Sequence, residues 1–211
     1  MSNKGSDRFI DWSPDSKSVL YSSDVDDTKS NYYLNSRYFR IDVDGKHITE
    51  LGKDFDENLG SMTWTDKGIY ATAYQKTLRP IFLLNPDNGK VEKLIDSPSR
   101  IYSLSATDDG KKIACTGEAD NLLSEIYIYV PGNNNTTKIT DLTDQISNWK
   151  YSDPEVISWK SKDGTTIEGV LHKPMDYDPG KKYPLLVNIH GGPTSISVPG
   201  PAPSYVYPVL Q

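Results

Sequence analysis

Apolar and polar positions alternate in short runs over the first two thirds of the chain, and the runs come in pairs. The first pair, Phe9-Ile-Asp-Trp-Ser-Pro-Asp-Ser-Lys-Ser-Val-Leu-Tyr-Ser22, reads as a strand, a polar turn and a second strand. The pattern returns as Ser61-Met-Thr-Trp-Thr-Asp-Lys-Gly-Ile-Tyr-Ala-Thr72, and again as Tyr102-Ser-Leu-Ser-Ala-Thr-Asp-Asp-Gly-Lys-Lys-Ile-Ala-Cys115. A second, aromatic-rich pair follows each copy: Arg37 to Leu51, Pro80 to Leu94 and Glu125 to Ile139. Period-2 alternation over such short runs predicts half-buried strands. Asp44-Gly45, Asn88-Gly89 and Asp109-Gly110 supply the turns, because both residue types tolerate positive φ.

The copies recur at a near-constant interval. Trp12 and Trp64 are 52 residues apart, Trp64 and Ser105 are 41 apart, and Leu51, Leu94 and Ile139 are spaced by 43 and 45. Four short strands per 40–50 residues predict the blades of a β-propeller. The expected blades are 7–52, 58–97 and 100–145, with a longer loop from Asp24 to Asn35 in the first. Three blades do not close a ring, so earlier blades are expected before them.

After Trp149 the period stops, which divides the chain into residues 1–150 and 151–211. Val156 to Lys160 and Thr166 to His172 flank Lys162-Asp163-Gly164 and predict a hairpin. Leu185 to Ile189 is apolar except for Asn188, as suits a strand buried on both faces of a parallel sheet. It empties into His190-Gly191-Gly192-Pro193, a turn that lets another group approach the main chain. Pro193 also pushes Gly192 out of the helical region. A buried strand ending in such a turn aims backbone N–H groups at an anion, as in an oxyanion hole.

These two stretches carry a resemblance. Pro154 to Pro174 and Tyr183-Pro-Leu-Leu-Val-Asn-Ile-His-Gly-Gly-Pro193 resemble the entry of the prolyl oligopeptidase family of serine peptidases into its α/β-hydrolase domain. The nearest branch is that of the acylaminoacyl peptidases and dipeptidyl peptidases. The Trp-Ser-Pro-Asp motif at Trp12 extends the likeness weakly into the repeats. The implied fold is mainly β: part of a propeller, then the first strands of an α/β-hydrolase domain. The implied partner is a short peptide or acyl-peptide. Gly192 would donate its N–H to the oxyanion, with His190, Gly191 and Pro193 shaping the turn.

The family also needs a Gly-x-Ser-x-Gly elbow, then an Asp and a His. No Gly-x-Ser-x-Gly occurs in this chain, and Ser195 and Ser197 lack the flanking glycines. His190 is committed to the turn, His47 to a blade and His172 to the hairpin. The chain by itself is therefore expected to hold no catalytic residue and to be inactive. The alternative is a non-catalytic propeller that binds a partner and carries a degenerate hydrolase-like appendage.

Composition narrows the remaining choices. A chain with 36% hydrophobic and 25% charged residues builds a folded core, and its net charge of -6 does not favour nucleic acid or an anionic membrane. No apolar run approaches a membrane span, and residues 1–7 are too polar for a secretory leader. The compartment is weakly constrained by this, with a cytoplasmic one slightly favoured. Cys115 is the one cysteine, so neither an internal disulfide nor a Cys-based metal cluster forms. Asp24, Asp26 and Asp27 lack the Gly and Glu of a calcium loop; no metal or cofactor is expected. Asn134-Asn-Thr136 and Asn135-Thr-Thr137 match the glycosylation pattern, which matters only in a secreted protein. Trp12, Trp64 and Tyr102 read as blade packing rather than a ligand cage. Open strand edges predict self-association.

Overall fold

A computed structural model describes residues 5–24, 35–119, 123–150, 152–192 and 195–200. Within them the chain forms three four-stranded antiparallel meanders and one hairpin. The first sheet holds β1 (Asp7–Trp12), β2 (Ser18–Ser23), β3 (Arg37–Asp42) and β4 (Ile48–Leu51). The second holds β5 (Leu59–Thr65), β6 (Gly68–Ala73), β7 (Ile81–Leu84) and β8 (Val91–Ile95). The third holds β9 (Arg100–Ala106), β10 (Ile113–Glu118), β11 (Glu125–Tyr129) and the short β12 (Thr137–Lys138). A 3₁₀ turn, Leu142–Ile146, leads to the hairpin of β13 (Pro154–Lys160) and β14 (Thr166–His172). Each sheet pairs its strands in chain order, which is the arrangement of a propeller blade.

The turn dipeptides explain the tight connections. Gly45, Gly89 and Gly110 take φ of 74°, 70° and 65°. The β1–β2 and β9–β10 turns repeat one device: a hydroxyl and a carboxylate absorb the turn's free amides. Ser13 Oγ accepts from the N–H of Ser18 at 2.8 Å, and Asp15 accepts from Lys17. Thr107 and Asp109 do the same for Lys112 and Lys111.

The sheets stack face to face. Every residue of β6 is buried because the second sheet lies between the other two. Ile69, Ala71 and Ala73 join Leu20, Tyr38 and Leu51 in one core, while Tyr70 joins Ile101, Ile113, Cys115 and Tyr129 in the next. β7 alternates likewise, with Phe82 and Leu84 in the first core and Ile81 in the second. This period-2 split is what lets one sheet serve two cores. Tyrosine hydroxyls tie neighbouring sheets: Tyr38 donates to the carbonyl of Leu59 at 2.8 Å, and Tyr70 to that of Gly110 at 2.9 Å.

A bulge sets the outer face of the first sheet. The register shifts between Phe9 and Asp11, so Phe9 and Trp12, three residues apart, face the same way. Their rings lie 6.3 Å apart beside the Tyr21–Phe39 stack. Trp64 packs against the first core, whereas Trp12 meets Phe9 of its own blade and remains 49% exposed. The reason is that its side of the sheet has no neighbour among the described residues.

A second expectation also fails. Residues 185–189 form no strand, and Leu185, Leu186, Val187 and Ile189 are 60–84% exposed. A doubly buried strand needs partner strands and covering layers, and none adjoins this run among the described residues. Pro193 and the region 25–34 of the first blade's loop lie outside the described residues. No helix among them is long and apolar enough to cross a membrane.

Candidate functional site

The site begins with the hairpin. β13 and β14 pair without a register break from Pro154↔His172 to Lys160↔Thr166. Their turn closes through Asp163, which accepts from Ser161 Oγ and from the N–H of Thr165, while Gly164 takes φ 86°. The Ser161 hydroxyl, then the Thr165 amide, hold the Asp163 carboxyl below its ordinary range. Gly169 is small for a reason: a Cβ there would lie 3.2 Å from the ring of Trp159 on the facing strand.

The chain then runs to the glycine turn along a packed loop. Lys173 pairs with Glu155 and lies 5.4 Å from the centre of the Tyr177 ring, which in turn contacts Tyr183 at 5.4 Å. The N–H of Asp178 donates to Tyr183 Oη at 2.9 Å, so the loop doubles back on itself before residue 184. His190, Gly191 and Gly192 follow, all exposed. Gly192 sits at φ 141°, a value that disfavours any residue with a Cβ. A Cβ at Gly191 would meet nothing within 4 Å, so one side of this backbone is open to an incoming group.

After the turn the chain returns to the blades. Pro199 and Gly200 are buried, and a Cβ at Gly200 would come within 3.0 Å of Arg100 Nη2. The hairpin touches the same end of the sheets. Lys76 Nζ donates to Glu168 at 2.6 Å, and Thr77 Oγ1 to the same carboxylate at 3.4 Å. Lys76 and Thr77 belong to the β6–β7 connection, and Arg100 opens β9. The glycine turn is thus flanked on both sides by segments that rest on one end of the second and third sheets.

That end carries a charged aromatic cluster. Arg79 and Arg100 pair as an isolated parallel bridge. Arg100 Nη1 donates to Tyr102 Oη at 2.7 Å and lies 3.2 Å from Glu118, while Tyr102 donates to Glu118 at 2.9 Å. Burial first, then the Glu118 carboxylate, push the Tyr102 hydroxyl up from its ordinary value. Arg79 lies over the rings of Tyr74 and Tyr102 at 5.2 and 5.9 Å. The sequence carries no signal for either arginine, because the cluster joins residues from separate strand ends that only the stacking of sheets brings together.

The remaining candidates do not join the turn. His47 is exposed and 3.4 Å from Asp42, inside the β3–β4 turn. Asp42, Asp44 and His47 do bring one ligand atom each within 4.8 Å, but Ser18 Oγ, Arg40 and Lys46 already engage the two carboxylates. His172 ends β14, where burial lowers its pKa. Ser195 is half-buried and Ser197 exposed. Hollows of about 560 and 490 Å³ border residues 35–56 and 152–177, and neither is lined by His190, Gly191 or Gly192.

Comparison with known proteins gives a consistent answer. No family model matches the sequence. Human dipeptidyl peptidase 8 is 51% identical over 43 residues, which cover 20% of this chain and 5% of that protein. The probable dipeptidyl-peptidase 5 of Emericella nidulans is 30% identical over 199 residues, 86% of this chain and 26% of that protein. The solved acylaminoacyl peptidase of Pyrococcus horikoshii superposes with a TM-score of 0.69 at 19% identity, over 90% of this chain and 28% of that one. At that identity it speaks to the fold alone. The chain spans about a quarter of the length of the relatives that match most of it. Its homologues are peptidases of the prolyl oligopeptidase (S9) family, of which it matches one part, and its fold is that of the β-propeller domains of such peptidases.

Proposed function

We propose that this chain is part of a serine peptidase that hydrolyses short peptides or acyl-peptides. In this reading residues 1–150 are the C-terminal part of a propeller, and residues 151–211 begin the catalytic domain. The observation that carries it is Gly192 at φ 141° in an open glycine turn, set between two segments that rest on one end of the blades.

The proposed mechanism follows from what such a turn offers. A serine outside this chain attacks the scissile carbonyl carbon, and the carbonyl oxygen becomes an alkoxide. The Gly192 N–H, directed by the turn of His190, Gly191 and Pro193, donates to that oxygen. A second donor is the amide after the nucleophile. The donors stabilise charge that exists only as the barrier is crossed, so they raise turnover more than affinity. The blades cover the site, exclude bulk water and admit small or unstructured peptides.

This chain contributes half of the oxyanion hole and neither nucleophile nor base, and it does not turn over peptides by itself. The test is labelling by a fluorophosphonate probe of a longer protein that contains this chain, beside the 211-residue chain. Labelling of the longer protein only, at a Ser within Gly-x-Ser-x-Gly, supports the reading. A longer protein that folds but resists the probe, with no such motif, points instead to a binding propeller.

A further inference from the structure

The chain contains five arginines, and four of them meet a carboxylate. Arg8 faces Asp24, Arg37 faces Glu50, Arg40 faces Asp42 and Asp87, and Arg100 faces Glu118. Arg79 alone meets none among the described residues, although it is half-buried. Its main chain is held in place. Its N–H donates to the carbonyl of Ser99 at 2.8 Å, and its carbonyl accepts from Ile101 at 3.1 Å. Two tyrosine rings contact its guanidinium without cancelling the charge. Gly60 gives it room, since a Cβ there would lie 3.3 Å from Nη2.

The other charges at this end are already matched. Arg100 and Tyr102 satisfy Glu118, and Lys76 satisfies Glu168. What remains is one planar, pre-positioned donor fork. A planar fork fits a carboxylate with two parallel hydrogen bonds. The segments flanking the glycine turn abut the same end of the sheets, through Lys76 to Glu168 and through Arg100 to Gly200.

We propose that Arg79 is a specificity residue that binds a carboxylate of a peptide ligand. The carboxylate comes from the peptide's C-terminus or from an acidic side chain. That the ligand is a peptide rests on the peptidase reading; the preference for a carboxylate rests on Arg79 itself.

The test uses the 211-residue chain and three N-acetylated tripeptides: Ala-Ala-Ala as free acid, the same peptide as C-terminal amide, and the amide of Ala-Asp-Ala. Binding is followed at the backbone N–H signals of residues 79 and 101, which every variant retains, in proton–nitrogen spectra. The free acid, the Asp peptide or both should bind about tenfold more tightly than the plain amide. Arg79→Gln should remove that preference, and Arg79→Lys should leave only part of it. Which peptide binds identifies the carboxylate. Equal binding of all three to the unaltered chain overturns the proposal, and this outcome does not depend on any variant folding. Because no turnover is measured, the peptidase reading fails separately, when the longer protein is neither labelled nor active.

Discussion

Lys76 Nζ lies 2.6 Å from Glu168 Oε1, joining the β6–β7 connection of the second blade to the middle of β14, 92 residues later in the chain. Lys76 reaches it from a positive φ of 55°, uncommon for a residue with a side chain. The pair fixes how the hairpin meets the blades, but its lysine is 68% exposed, so water screens it. A double-mutant cycle with Lys76→Ala and Glu168→Ala should give a coupling of about 0.5–1 kcal/mol. High salt should reduce that coupling. A coupling near zero at low salt would mean that the hairpin does not sit against this connection in solution.

Glu125 should matter more, because it is buried. Its carboxylate accepts from Thr140 Oγ1, from the N–H groups of Leu142 and Thr143, and from Thr143 Oγ1, at 2.5–3.0 Å. These bonds satisfy the first amides of the 3₁₀ turn that leads out of the third blade. Burial alone would raise the carboxyl, but the four hydrogen bonds outweigh it and lower the pKa from 4.5 to about 2. A depressed folded-state pKa stabilises above the unfolded value and loses that contribution as pH falls through the folded one. Glu125→Gln should therefore cost about 2–3 kcal/mol at pH 7. The gap between the two proteins should close as pH drops from about 4.5 toward 2, as denaturant titrations across that range would show.

Gly117 marks a close approach at the register shift of β10. A Cβ there would lie 2.5 Å from Pro98 Cγ and 2.7 Å from the carbonyl oxygen of Arg100. Gly117→Ala should destabilise by about 1–3 kcal/mol, read as a lower Tm. An unchanged Tm would show that the third sheet relaxes there at little cost.

Much of the architecture is legible because it is local. Asp44-Gly45, Asn88-Gly89 and Asp109-Gly110 announce their hairpins, and the alternation through Ile69-Tyr-Ala-Thr72 announces a strand with two useful faces. The bulge after Phe9 is not legible, since no residue type demands it, yet it decides that Trp12 shares a face with Phe9. The run at 185–189 shows the converse: an apolar pattern specifies a buried strand only when neighbours exist to bury it. At the site, Gly192 is legible because its geometry needs glycine. Arg79, Arg100, Tyr102 and Glu118 are not, because their meeting depends on which strand ends the stacking of sheets brings together.

The glycine turn is proposed to serve peptide hydrolysis. Turnover of acyl-aminoacyl and dipeptidyl chromogenic substrates by a longer protein that contains this chain, with and without Gly192→Ala, tests it. Hydrolysis should be blocked by a serine-directed inhibitor, and Gly192→Ala, which keeps the N–H but disfavours the φ of 141° that aims it, should lower kcat by up to about 10²–10³-fold with KM little changed. A folded protein that hydrolyses neither substrate, or one whose kcat is indifferent to Gly192→Ala, would contradict it.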